Sequence, residues 1–318
     1  MTTSPPSMAQ ITDEIVDHRR FLASLEPEAR RALSTLSDRA GLGYLVPHLA
    51  AIGGLAALVA EGVAGWPLLL LPLGILQVFL FCPLHETTHR TAFRSPWLNS
   101  AVAHLAGLLL LIPPTWFRYF HFAHHRHTQD PAQDPELARP KPVSLGAYAW
   151  HVSGLPYWRS QITTLVRNAA GGCNAAFVPE SARRRVQAEA VFMLAAYAGL
   201  VGGSLWLTTP FLLWIWIVPV VIGQPALRLY LLAEHGRCPP VANMFENTRT
   251  TFTSWLVRRL AWNMPFHAEH HSMPTVPFHR LADLHARVRP HLCQTERGYV
   301  AFQRRYLAGF ARRSGSAP

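Results

Sequence analysis

Apolar residues in this chain are bunched rather than spread. Four runs, at about 42–63, 66–84, 188–207 and 211–233, approach the ~20 residues that a helix needs to cross a bilayer. The first two are separated only by the turn at Gly65 and Trp66, and the last two only by Thr208, Thr209 and Pro210. The pattern therefore predicts two antiparallel membrane hairpins. A fifth apolar run, 101–112, is too short to span and stops at Pro113 and Pro114, which predicts an interfacial or re-entrant element. Between the two pairs, 144–172 mixes Trp150, Tyr157 and Trp158 with Arg159 and Arg167. That mixture suits a helix at the headgroup level or one packed on a cytoplasmic cap. The expected fold is an all-α integral membrane protein. It has four transmembrane helices in two hairpins and a helical cytoplasmic cap. Its parts are a polar N-terminal segment (1–41), one membrane domain (42–310) and a disordered tail (311–318).

Composition agrees with a membrane protein. Half of the 318 residues are hydrophobic, only 15% are charged, and the mean hydropathy is +0.12. The formal charge of +11 comes almost wholly from arginine, since Lys141 is the only lysine. Neither hairpin turn carries a basic residue. The arginines lie before the first span, between the second and third, and at or beyond the end of the fourth. The positive-inside rule then puts both termini and all these segments in the cytoplasm, which in a bacterium means the inner membrane. Arginines beside spans also argue against nucleic acid as the partner. The four cysteines form no CxxC pair, and the N-terminus lacks the apolar core of a signal peptide.

The candidate chemistry is in three histidine clusters: His85 and His89; His121, His124 and His125; and His267, His270 and His271. Residues i, i+3 and i+4 share a helix face, so each cluster aims its imidazoles one way. All three fall on the same predicted side of the membrane. Neutral imidazole suits Fe, Zn, Cu and Ni, and eight such donors are too many for one ion, so the pattern predicts a two-metal site. His235, at the end of the fourth span, is a ninth candidate. Asn263 lies one turn before the third cluster and can aim the same way. Asp130, Asp134, Glu136 and Glu269 are carboxylates placed to accept hydrogen bonds from ligand imidazoles. His127 falls off the face of the second cluster and reads as solvated. The isolated His18, His48, His104, His151, His279, His285 and His291 read as structural or solvated.

Two competing patterns overlap the first cluster. Residues 85–89 spell HExxH, the zinc-protease signature in which Glu86 would activate a water. An intramembrane protease of that kind needs a further ligand, and no span holds an Asp. Residues 86–89 also spell the ExxH of carboxylate-bridged di-iron bundles, but only one such element is present.

The set HxxxH, HxxHH and HxEHH around two membrane hairpins resembles the membrane-bound fatty-acid desaturase superfamily, which includes hydroxylases and carotenoid ketolases. The resemblance covers about 66–284. It implies a four-span fold whose cap holds two non-haem irons, with O2 as co-substrate. It also implies that His85, His89, His121, His124, His125, His267, His270 and His271 are the ligands, joined by His235. The stretches HTQDP (127–131), AEHG (233–236) and NTRT (247–250) look most like bacterial desaturases of acyl or unusual amino-acid substrates. The three-residue gap in the first box departs from the four often found in acyl-CoA desaturases. The implied reaction is desaturation of a fatty acyl chain or similar lipid; the alternatives are hydroxylation or ketolation of a lipid such as a carotenoid, or desaturation of an amino-acid-like molecule. No haem, flavin or iron–sulfur motif is present, so the electrons must come from a ferredoxin-like or cytochrome-type donor and its reductase. Trp116, Phe117, Tyr119 and Phe120, just before the second box, are expected to line the substrate tunnel.

Overall fold

The computed structural model describes residues 15–314. Two short helices, α1 (His18–Ser24) and α2 (Pro27–Leu33), lead into α3 (Asp38–Ala60). The turn at Gly65 connects α3 to α4 (Trp66–Val78) and, after a brief break, to α5 (Phe81–His89). Next come α6 (Pro96–Leu110) and α7 (Pro114–His127), then α8 (Leu145–Val152), α9 (Leu155–Ala169) and α10 (Glu180–Trp206). A π-helical turn (Leu213–Ile217) opens α11 (Val218–His235). The remaining elements are α12 (Met244–Asn247), β1 (Thr250–Thr251), α13 (Trp255–Leu260), α14 (His267–Ser272), α15 (Leu281–Val288), β2 (Thr295–Glu296) and α16 (Tyr299–Ser314). The strands pair in parallel.

Among the described residues, four helices are long and apolar enough to cross a membrane: Pro27–Ala60, Trp66–His89, Glu180–Trp206 and Leu213–His235. They correspond to the four apolar runs. The first extends earlier than the run because it takes in α2 and because α3 itself starts at Asp38, where Ser37 caps it, its hydroxyl accepting from the Ala40 amide at 3.2 Å. The second extends later because the first histidine cluster is itself helical. The fifth run behaves as its prolines require: α6 and α7 meet at a 96° bend and would count as a further span only if taken together.

Helices α4 and α11 form the centre of the molecule. A Cβ on Gly74 would lie 2.0 Å from the Pro219 carbonyl oxygen, and one on Gly223 would lie 2.3 Å from the Gly74 carbonyl carbon. Only glycine lets the two backbones meet here, as small residues do between membrane helices. Gln77 ties the same pair, donating from Nε2 to the Ile215 carbonyl at 2.7 Å. This crossing fixes the C-terminal ends of α5 and α11, and with them His89 and His235, on one side of the bundle.

The polar N-terminal segment expected at 1–41 already contains α1, α2 and the start of α3, and its residues 1–14 lie outside the described residues. The last helix reaches Ser314, so the first four residues of the expected disordered tail are helical, and 315–318 lie outside the described residues.

Candidate metal centre

Four helices deliver the histidines. α5 supplies His85 and His89, α7 supplies His121, His124 and His125, α11 ends on His235, and α14 carries His267, His270 and His271. All nine come together, in two adjoining groups. Ligand atoms of His85, His89, His121, His125 and His270 lie within 4.8 Å of one another, as do those of His124, His235 and His271. His267 joins the second group, its Nε2 3.1 Å from His235 Nε2. The groups touch where the His125 and His271 rings stack at 4.0 Å. His127 belongs to neither.

The nitrogen spacings test whether metal ions fit. His121 Nε2 has His89 Nε2 at 2.8 Å and His125 Nε2 at 2.9 Å, and His125 Nε2 has His270 Nε2 at 3.2 Å. One ring nitrogen carries one hydrogen or one lone pair, so it cannot satisfy two such neighbours. A metal ion can: imidazole nitrogens about 2.1 Å from an ion, at right angles, are about 3.0 Å apart. Both nitrogens of His85 and Nε2 of His271 are buried without a hydrogen-bond partner among the described residues. Buried polar atoms are rarely left so. The donor set fits two ions that prefer imidazole.

The outer nitrogens set the direction of the inner ones. His124 Nδ1 donates to Asp134 Oδ1 at 2.9 Å, His271 Nδ1 pairs with Thr128 Oγ1 at 3.1 Å, and His235 Nδ1 donates to the Asn247 carbonyl at 3.4 Å. Each leaves Nε2 facing its group, the usual arrangement around a metal. Burial pushes the pKa of His267, His270 and His271 well below the ordinary value, with repulsion from neighbouring histidines adding to it. They are held neutral, the form that binds metal.

The expected supporting residues divide. Asp134 is placed as expected. Asp130 is not: its carboxylate accepts from the Ala132 amide and Gln133 Nε2, both within its own loop. Asn263 donates from Nδ2 to the Phe278 carbonyl at 3.1 Å. Glu269 bonds Thr250 Oγ1 at 2.5 Å and His285 Nδ1, so it anchors α14 to β1 and α15 and bonds no imidazole of the two groups. Glu136 Oε2 reaches 3.2 Å from His124 Nε2. Burial alone would raise the Glu136 carboxyl, but Lys141 and His124 more than offset it and hold it well below the usual range. Sequence reading missed Glu234, whose Oε1 is 3.5 Å from His267 Nδ1; adjacency to His235 was the available signal. His285 is structural, through its bond to Glu269. Glu86, the water-activating residue of the protease alternative, is fully buried, and its Oε1 accepts from the Phe278 amide at 2.9 Å. That alternative needs one metal ion, whereas nine imidazoles gather here in two groups.

A cavity of about 510 Å³ opens beside the histidines and touches His85, His121, His124 and His267. Its apolar lining includes Phe81, Ile112, Phe117, Phe120 and Phe177. Trp116 lines it as expected; Tyr119 packs instead against a separate cluster around Cys173 and Val178. Its charged lining is Glu136, Arg139, Lys141, Arg228 and Glu234, and His151 is held neutral to about pH 4 by burial and by the charges of Arg228 and Lys141.

Residues 63–304 match the family model described as fatty acid desaturase. The chain is 33% identical over 125 residues to the sn-1 oleoyl-lipid 12-desaturase of Picosynechococcus sp., a match covering 36% of this chain and 35% of that protein. It is 26% identical over 205 residues to the sn-1 acyl-lipid omega-3 desaturase (ferredoxin) of Synechocystis sp., covering 61% and 57%. The matches thus span between about a third and somewhat over half of the length of these relatives.

Proposed function

The chain belongs to the fatty acid desaturase family, and from that premise we propose that it is an O2-dependent di-iron desaturase placing a double bond in a fatty acyl chain or similar lipid. The observation that carries this reading is the convergence of nine imidazoles from four helices beside a cavity with an aromatic wall. His85, His89, His121, His125 and His270 would hold one iron, and His124, His235, His267 and His271 the other. Bound there, the irons would supply the oxidising power toward an unactivated C–H bond that no side chain possesses.

The protein's own work is placement. Phe117 stacks on His121 with ring centroids 5.5 Å apart, so methylenes packed on Phe117 and Phe120 lie beside that imidazole. Fixing a chain at that range decides which hydrogen is removed, since an ångström of displacement already changes rates. Asp134 keeps the His124 ring in one orientation.

The arginine distribution supports two hairpins in an inner membrane, with both termini and the histidine-bearing cap in the cytoplasm. The electron donor would be ferredoxin-like or cytochrome-type, served by a reductase. The Synechocystis relative, whose name includes ferredoxin, supports the first. Two measurements test the proposal together: iron per chain in the purified protein, and the acyl composition of a host expressing it. Two irons and a new double bond are expected. One zinc, or an acyl profile unchanged in the presence of a donor and reductase, would overturn it.

A further inference from the structure

The proposed reaction leaves one charged group unexplained. Arg228 lies inside the candidate span Leu213–His235 and lines the cavity. An ionisable residue within a membrane helix is expensive and marks function unless a partner accounts for it. Among the described residues, no carboxylate lies within ion-pair distance of Arg228, whereas Lys141, on the same cavity, is taken by Glu136. Arg139 is exposed and donates to the Pro156 carbonyl at 2.9 Å.

The groups in contact with Arg228 are neutral; the carboxylates of Glu136 and Glu234, on the same cavity, act on it only from beyond ion-pair distance. The Tyr157 ring lies 4.3 Å from its Cζ. Gln224, one turn earlier, accepts from Nε at 3.0 Å and Nη2 at 3.2 Å when its amide oxygen faces the guanidinium. Gln224 is itself pinned by the junction of α8 and α9: Gly154 has φ +75°, and a Cβ there would meet Gln224 Cγ at 2.5 Å. These contacts fix the guanidinium in place without neutralising it. Arg228 also precedes His235 by seven residues, two turns on the same face of α11, an axial rise of about 10 Å.

We propose that Arg228 binds the anionic group of the substrate, a carboxylate or phosphate, so that the reacting carbons sit about two helical turns from that charge. Phe81 and Phe117, in ring contact with His85 and His121, take the hydrocarbon, and Arg228 takes the charged end. The substrate is then an anionic amphiphile rather than a neutral lipid. This deepens the desaturase reading and rests on it for the reaction, but the anion site can be tested by binding alone.

The test uses the full-length, iron-loaded protein in a neutral detergent and two matched pairs of probes: palmitate against methyl palmitate, and dipalmitoyl phosphatidylglycerol against a dipalmitoyl galactolipid. Equilibrium titration should show the wild type binding the anionic member of at least one pair about tenfold or more tightly, the scale of a charge-assisted hydrogen bond. A preference in the first pair alone identifies a free carboxylate, and in the second alone a headgroup phosphate. R228Q should equalise each pair with iron content unchanged, and R228K should retain most of the preference. Equal binding within both pairs by the wild type would overturn the proposal, as would a preference that survives in R228Q. If R228Q does not fold, the wild-type comparison still decides. Product analysis is read separately: no desaturated lipid with the charge preference intact speaks against the desaturase reading and for the anion site.

Discussion

Asp134 accepts a hydrogen bond from Nδ1 of His124 at 2.9 Å, and it accepts two more from the backbone amides of Gln129 and Glu136, each at 2.9 Å. One carboxylate therefore folds the loop after α7 back onto the helix and fixes the ring whose Nε2 faces His235. Removing such a partner commonly weakens metal binding 10–100-fold. We expect Asp134→Ala to lower affinity for iron within that range, measured by metal competition on purified protein. Asp134→Asn keeps the shape of the site and should fall between the two. An unchanged iron affinity in both variants would mean that His124 is oriented by other contacts.

The crossing of α4 and α11 holds the bundle together through bare backbone. Gly74→Ala would force a Cβ to 2.0 Å from Pro219 O, and since backbone on both sides leaves little room to yield, we expect a loss of about 1–3 kcal/mol or more. Gly199→Ala, on α10 where a Cβ meets nothing within 4 Å, should be neutral or stabilising by helix propensity. Thermal unfolding in detergent should separate the two. Equal melting temperatures would show that the helices shift apart at low cost.

Acid should act first on metal-free protein. His267, His270 and His271 have pKa values held below the ordinary histidine value, chiefly by burial. Below about pH 6.5 the unfolded chain takes up protons that the folded chain refuses, so each of the three removes stability at up to about 1.4 kcal/mol per pH unit as the pH falls. Above that pH their contribution is constant. Iron-loaded protein should hold its melting temperature to lower pH and then release metal as protons compete for the imidazoles. Parallel melting curves of the two forms from pH 8 to pH 5 would contradict this account.

Much of the fold could be read from where apolar residues cluster, because a bilayer demands about 20 of them in a row. The boundaries could not. Capping by Ser37 sets the start of α3, and the helical first cluster carries the second span on to His89. The histidines were legible for a local reason: spacings of three and four put each cluster on one face. Their division into two groups depends on how α5, α7, α11 and α14 meet, and no local spacing encodes that. The same limit explains Asp130 and Glu269. Asp130 lies in a short loop whose own donors satisfy it first, a competition typical of Asp. Glu269 sits between two proposed ligands of one helix yet bonds β1 and α15, because the third cluster faces one way and its intervening residue faces another.

His235 offers the sharpest trial of the two-group arrangement. It stands alone in sequence, yet its Nε2 lies 3.2 Å from His124 Nε2 and 3.1 Å from His267 Nε2, at the centre of the second group. His127 offers the contrast. It lies within the second box in sequence but outside both groups in space. We expect His235→Ala to lose one iron of two and all turnover, while His127→Ala keeps both irons and near-normal activity. Two irons is the outcome if His235 serves only to pack α11 against α14, and in that event the second ion must be held by His124, His267 and His271 alone. Metal analysis at saturating iron, alongside a melting curve showing that each variant is folded, reads the difference directly.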